Sequence, residues 1–262
     1  MHSISPNLNI MIKACEKASK VIIRDFGEVE NLQVLKKGPK DFVTKTDKRV
    51  EEILIEDLTK SKKNYSFITE ETGIINNSEK DIFWVIDPID GTTNFLHGIP
   101  HFAISIALKI KDEIRSGVIY DPIKNEMFMA EKEKGSFLNN SRIRVSSRKK
   151  LRECMIITGG PKFNSKNKDL NFSEYKKISN YLHSPIRKMG SATLDMAYVA
   201  AGRADGFFQR NLNYWDIAAG IVLVKEAGGF VIDFQGNDKF LENKTIIAAN
   251  SKISENMIEI LK

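Results

Sequence analysis

The pattern of apolar and polar positions divides the chain into three stretches. In the first, Ser5-Pro6 offers an N-cap hydroxyl followed by proline at the first helical position. Ile10, Ala14, Ala18, Val21 and Ile22 then recur at helical spacing as far as Gly27, which predicts an amphipathic helix. A polar connection, Lys36-Lys37-Gly38-Pro39-Lys40, leads to a second helix beginning near Thr44–Asp47, where Thr-x-x-Asp has capping-box spacing. Val50, Ile53, Leu54 and Leu58 form its apolar stripe, and Tyr65–Thr69 is a short strand ending in Glu70-Glu71. The middle stretch is strand-rich: Ile82–Asp87, stopped by Pro88, then Phe102–Ile110, Gly117–Tyr120 and Glu126–Ala130. In the third, strands at Met155–Thr158, Asp205–Gln209, Phe230–Asp233 and Thr245–Ala249 alternate with helices at Tyr175–Tyr181, Ser191–Ala201, Asp216–Ala227 and Ser254–Leu261. Helices first, then strands, then alternation predict an α/β (α+β) fold of stacked helix and sheet layers. A soft boundary in the basic, Ser-rich stretch 141–150 separates an N-terminal half, 1–145, from a C-terminal half, 146–262.

Composition narrows this picture. The 262 residues are 42% hydrophobic and 9% aromatic, enough for a substantial core and against disorder. The longest apolar runs, 102–108 and 217–224, fall far short of the ~18 residues of a membrane span, and the N-terminus lacks the apolar stretch of a secretion signal. Cys15 and Cys154 stand in no metal or redox spacing, so a reducing cytoplasm is the expected compartment. The net charge of +6 gathers in two clusters, one around Lys36–Arg49 and one from Arg142 to Arg152. An anionic partner and a merely solvated surface both account for that excess.

The chemistry concentrates in Trp84-Val85-Ile86-Asp87-Pro88-Ile89-Asp90-Gly91-Thr92-Thr93-Asn94-Phe95. Two carboxylates stand at the exit of an apolar strand, followed by Gly-Thr-Thr, whose backbone N–H groups can cradle a phosphate. Neighbouring carboxylates repel by about 4 kcal/mol at ~4 Å for an effective dielectric near 20, so such a pair takes up protons or binds cations. With no Cys or paired His at ligand spacing, hard oxygen ligands favour Mg²⁺ over Zn²⁺. Asp87 and Asp90 also fit an ordinary Asp-Pro turn. Glu70-Glu71 fits a solvated loop, Asp216 a favourable charge in a first helical turn, and Asp47 a helix cap.

Together these segments resemble the inositol monophosphatase family of Mg²⁺-dependent, lithium-sensitive phosphatases. The Trp84–Phe95 segment matches one family motif, and Asn213-Tyr214-Trp215-Asp216-Ile217-Ala218-Ala219-Gly220 with Glu226-Ala227-Gly228-Gly229 matches another. Asp41-Phe42-Val43-Thr44-Lys45-Thr46-Asp47 and Phe67-Ile68-Thr69-Glu70-Glu71 match two earlier signatures, so the resemblance runs from about Ile10 to Ala249. It implies a layered αβαβα sandwich and a phosphomonoesterase hydrolysing inositol monophosphate or a related sugar or polyol phosphate by direct attack of water. Fructose-1,6-bisphosphatase and 3′-phosphoadenosine-5′-phosphate phosphatase are the rivals within the superfamily. A non-catalytic contact with RNA or the transcription machinery is the rival from another class.

By the same resemblance, Glu70, Asp87 and the Ile89 carbonyl hold a first Mg²⁺, and Asp87, Asp90 and Asp216 a second. A third, weaker ion is implied near Glu70. Glu70 orients the attacking water, assisted by a Thr92–Asp47 pair, while Gly91 and Thr92 N–H groups meet the phosphoryl oxygens. Gly190, Ser191, Ala192, Gln209, Asp90 and Asp216 contact the substrate, and Lys36 lies within reach of it. Gln209 departs from the pattern: inositol-hydrolysing relatives usually carry glutamate there, and Arg210 adds a positive neighbour. The family also implies a homodimer.

Overall fold

Local signals and burial together account for the first helix, α1 (Pro6–Phe26). Ser5 caps it by accepting from the Leu8 N–H at 3.2 Å, and Gly27 ends it. In this computed structural model, residues 4–28, 34–36, 42–160 and 168–262 are described, with side chains except at 34–36, 42–44 and 168. The buried face of α1 is Leu8, Met11, Ala14, Cys15, Ala18 and Ile22, so Ile10 and Val21 flank the stripe rather than centre it. A two-stranded ribbon of β1 (Val34–Lys36) and β2 (Phe42–Thr44) leads into α2 (Lys45–Ser61). The expected Thr44 cap lies outside the described side chains. Besides Val50, Leu54 and Leu58, α2 buries two acids a turn apart, Asp47 and Glu51. Buried charges need a partner or a task.

The large sheet follows: β3 (Tyr65–Thr69), β4 (Gly73–Ile75), β5 (Glu79–Asp90), then after the single-turn α3 (Thr92–Leu96) the strands β6 (Ala103–Ile110), β7 (Glu113–Asp121), β8 (Glu126–Glu131), β9 (Gly135–Leu138) and β10 (Ser141–Ile143). Its order is β10-β9-β8-β7-β6-β5-β3-β4, with β3 and β5 the parallel pair. A smaller sheet is built from β11 (Ile156–Thr158), β12 (Gly206–Arg210), β13 (Phe230–Ile232) and β14 (Thr245–Ala249) in the order β11-β12-β14-β13. The remaining helices are α4 (Lys168–Ser179), α5 (Ala192–Ala200), α6 (Tyr214–Glu226), the short α7 (Phe240–Asn243) and α8 (Ser251–Leu261).

The layers stack as α1–α2, large sheet, α5–α6, small sheet, α4–α8, the αβαβα sandwich expected. Each interface has its own core: Trp84 and Phe102 under α1–α2, Leu194 and Leu223 in the middle, and Phe208, Phe234 and Met257 beneath α8. Sequence reflects depth in the stack. Every residue of α5 is buried, because sheets or helices cover it all round, whereas α1 and α8 present one polar face to water. Gly117 on β7 lets α6 come close, since a Cβ there would lie 2.9 Å from the Ala219 backbone. No helix among the described residues is long and apolar enough to cross a membrane.

One expectation is corrected. The strand does not stop at Asp87; β5 runs through Pro88 to Asp90. Asp87 pairs with Ser105 and Asp90 with Ala103, so three steps on β5 match two on β6. This extra residue is a bulge, where proline's missing donor is tolerated. It also changes parity. Residues three apart on a regular strand face opposite sides, but Ser105 and Ala103 share a side, and the bulge brings Asp87 and Asp90 to the same one.

Candidate active site

The ends of β3 and β5, with the N-terminal turns of α3, α5 and α6, enclose a cleft of about 370 Å³. Glu70, Asp87, Ile89, Asp90, Gly91, Thr92, Gly190, Ser191, Ala192, Gln209 and Asp216, all singled out in the sequence, line it. Asp47 adds to the negative field at Glu70 and Asp87. Lys36 lies in β1, whose side chains are outside the described residues.

Regular structure holds most of these groups. Asp90 Oδ2 accepts from the Ser191 hydroxyl at 2.6 Å, the Thr193 N–H at 2.7 Å and the Thr193 hydroxyl at 2.7 Å. Ser191 also caps α5. Asp216, at the third position of α6, accepts from the Asn213 N–H at 2.7 Å. Gly91 takes φ 99°, and a Cβ there would stand 3.0 Å from the His101 carbonyl oxygen, so glycine is required on both counts. Asn94 donates to the carbonyls of His101 and Met189, each at 2.8 Å, tying the turn after Asp90 to the turn before Ser191.

Asp87 is different. It is 1% exposed, and its Oδ1 has no hydrogen-bond partner. Burial, then the charges of Glu70, Asp90, Asp216 and Asp47, push its carboxyl well above the ordinary range. Glu70 is raised to about 8, first by burial and then by Asp216, Asp47, Glu71 and Asp90. Burial raises Asp90 too, against the opposing hydrogen bonds of Ser191 and Thr193. No three His, Cys, Asp or Glu side chains among the described residues form a finished ligand cage. The carboxylates instead rim a space. Their fit to a cation rests on the all-oxygen donor set, on mutual repulsion and on the orphaned Asp87 oxygen, and it is the fit of a hard divalent ion.

Of the expected Thr92–Asp47 pair, the threonine's contact is seen. The Thr92 hydroxyl donates to the Ile89 carbonyl oxygen at 3.0 Å, and a hydroxyl has one proton to give. Four contributors went unassigned in the sequence. Thr193 clamps Asp90, Asn94 joins the two turns, and Gly159 makes room for Gln209, whose amide a Cβ there would strike. Asp195 lines the cleft 1% exposed, with an unpartnered Oδ1 and a carboxyl raised well above the usual range by burial and then by Asp90. Two left a signal: Asn94 stands inside the Trp84–Phe95 motif, and Asp195 is an acid in an otherwise apolar helix.

Comparison with known proteins places the chain among its relatives. The profile of the inositol monophosphatase family matches residues 4–262. The inositol-1-monophosphatase of Rhizobium meliloti (strain 1021) is 46% identical over 255 residues, covering 97% of this chain and 96% of that one. The Nus factor SuhB of Pasteurella multocida (strain Pm70) is 42% identical over 257 residues, covering 97% and 95%. The crystal structure of extragenic suppressor protein suhB from Bartonella henselae superposes with a TM-score of 0.95 at 45% identity, covering 98% of this chain and 99% of that one. With the layered fold and the cleft at the ends of β3 and β5, these matches establish that the chain belongs to the inositol monophosphatase family.

Proposed function

We propose that the protein is a Mg²⁺-dependent phosphomonoesterase that hydrolyses inositol monophosphate or a related polyol phosphate by direct attack of water. Members of its family generally use Mg²⁺. The observation that carries the reading is the buried, unpartnered Asp87 Oδ1 amid carboxylates that raise one another's proton affinity. Glu70, Asp87 and the Ile89 carbonyl would hold a first ion, and Asp87, Asp90 and Asp216 a second. Bound there, the ions supply Lewis-acid stabilisation of the phosphoryl oxygens and a water of lowered pKa.

The chain's own groups do the rest. The Ser191–Thr193 clamp occupies Asp90 Oδ2 and so leaves Oδ1 as the oxygen for a cation. Glu70 orients the attacking water, with Asp47 and the Thr92 hydroxyl beside it. For Thr92 to act there, its hydroxyl turns away from Ile89, which also frees that carbonyl as a ligand. N–H groups at Gly91 and Thr92 stabilise charge developing on the phosphoryl oxygens. Gly190 and Ala192 allow the alcohol to approach, and Gln209 accepts from one of its hydroxyls.

Phosphate release from inositol 1-phosphate, 2′-AMP, fructose 1,6-bisphosphate and 3′-phosphoadenosine 5′-phosphate, with Mg²⁺ and with chelator, tests the reading. Turnover of inositol 1-phosphate or 2′-AMP that needs Mg²⁺ and is lost in Asp90→Asn supports it. Preference for either of the other two assigns the enzyme to a rival branch, and no turnover on any sinks the catalytic reading. The relatives named Nus factor SuhB favour a second role, contact with the transcription machinery. The exposed basic stretch at Arg142, Arg144, Lys149, Lys150 and Arg152 is the surface available for it. Binding that survives Asp87→Asn and falls steeply with salt is its signature.

A further inference from the structure

Among the described residues, no hydrogen bond holds the Glu70 carboxylate, in contrast to Asp90 and Asp216. Its position depends on its backbone. Glu70 opens the three-residue turn between β3 and β4, where Thr69 pairs with Gly73. Two N–H groups of that turn end on one side chain. Glu71 N–H donates to Glu51 Oε2 and Thr72 N–H to Glu51 Oε1, each at 2.9 Å. Glu51 is 1% exposed on α2, one turn after Asp47 and on the same face.

A buried carboxylate one helical turn from an acidic cluster is costly unless its charge is met. Here two charge-assisted hydrogen bonds from consecutive amides meet it. The arrangement has a directional consequence: it fixes the plane of the turn from which Glu70 projects, and it locks that turn to the helix carrying Asp47. We propose that Glu51 is a positioning residue, which presents Glu70 to the cation site by gripping the two peptide N–H groups that follow it. The inference rests on the assignment of Glu70 as a metal ligand. It adds a requirement that assignment lacks: the grip needs both oxygens, because an amide has one acceptor and would turn its NH₂ towards the second N–H.

The test uses the full-length protein and Mn²⁺ alone as the probe, with calorimetric binding, thermal unfolding and amide exchange measured on wild type, Glu51→Gln, Glu70→Gln and Thr72→Pro. Glu51→Gln is expected to weaken Mn²⁺ binding by about 10-fold, at the lower end of what loss of an outer support costs. Amides of Glu71 and Thr72 should be protected in the metal-free wild type, although Thr72 is exposed, and lose protection in Glu51→Gln. A tether that only stiffens the fold would lower the unfolding temperature and leave Mn²⁺ affinity unchanged, and that result overturns the proposal. Should Glu51→Gln not fold, two results decide. Thr72→Pro removes one of the two donors from an exposed position and must weaken Mn²⁺ in the same direction, and free exchange of the two amides in the wild type overturns the idea outright. Glu70→Gln separates the two layers of inference. If it leaves Mn²⁺ binding intact, the ligand assignment falls and the positioning role with it. If it weakens binding while Glu51→Gln does not, the positioning role alone falls.

Discussion

The two walls of the cleft are built on opposite principles. One carries Glu70, Asp87, Asp90 and Asp216 from strand ends and a helix start, with Asp47 behind them, and its charges raise one another's proton affinity. The other is formed by Gly159, Gly160, Gly190, Ser191, Ala192 and Gln209, from turns and the end of β12, and carries no ionised group. The first wall is shaped by carboxylates crowded close enough to hold one another's protons. The second is shaped by side chains left out, as at Gly159, where a Cβ would strike the Gln209 amide. In the proposed reaction the acidic wall decides whether a phosphoester is cleaved, and the neutral wall decides which alcohol it carries. Substitutions on the two walls should therefore differ in kind.

The largest effect is expected at Asp87. Asp87→Asn removes the carboxylate proposed to be shared between ions. Losing several kcal/mol of transition-state stabilisation corresponds to a fall in turnover of about 10³-fold or more. The metal-free variant should nevertheless unfold at a higher temperature than wild type, because the substitution removes a buried, unpartnered acid. Phosphate release and thermal unfolding on the same sample check both signs. A variant that loses stability along with activity would mark Asp87 as a structural residue and break the comparison.

Next in size is the coupling of pH to the metal. In the metal-free protein Glu70 is raised from 4.5 to about 8, so the folded state holds a proton that the unfolded state releases. The sign follows: stability is fullest below about pH 4.5 and is lost as pH rises through about 8. A cation bound among the acids replaces that proton. Mg²⁺ should therefore raise the unfolding temperature more at pH 8 than at pH 6, and its binding at pH 7 should release protons. Calorimetry in buffers of different ionisation heat measures the release directly. A metal-free unfolding temperature that is flat from pH 6 to 9 would contradict the crowding of the acids.

The same contrast explains what could be read from the sequence. The acidic wall was legible because its chemistry sits in short strings, Glu70-Glu71, Asp87 to Asp90 and Asp216, placed at ends of strongly patterned elements. Most of those elements lie where periodicity and caps put them, as with Ser5-Pro6 and α1. Pro88 misled because propensity argued for a stop, whereas tertiary pairing converted it into a bulge. The contacts that hold the ligands were illegible. Thr193 and Glu51 act across 103 and about 20 residues of separation, and nothing local distinguishes them from surface polar residues; Asn94 stands inside the Trp84–Phe95 motif, but its partner Met189 lies 95 residues away. Short strands such as β4 and β10 exist only through their neighbours, three residues being too few for a pattern.

On the neutral wall, Gln209→Glu sharpens the comparison. A charged acceptor makes hydrogen bonds about twice as strong as a neutral one. Preference for inositol 1-phosphate over the other monoesters should rise by up to about tenfold, the equivalent of ~1.4 kcal/mol. The Mg²⁺ requirement should stay as in wild type. Equal ranking of the substrates before and after the change would remove Gln209 from the specificity-determining wall.

The smallest effect is expected where the walls meet, at Asp195. Its carboxyl is raised well above the ordinary range by burial and then by the charge of Asp90. The folded protein therefore favours the neutral acid, while the unfolded chain ionises it above about pH 4. That difference withdraws stability as pH rises from the unfolded value towards the folded one. Asp195→Asn keeps the shape and the neutrality and removes the titration. Its unfolding temperature, measured without metal, should match wild type near pH 4 and exceed it at pH 8, by about 2–4 °C for each kcal/mol recovered. A variant less stable than wild type at pH 8 would mean that the carboxylate itself is needed there, and would move Asp195 onto the acidic wall.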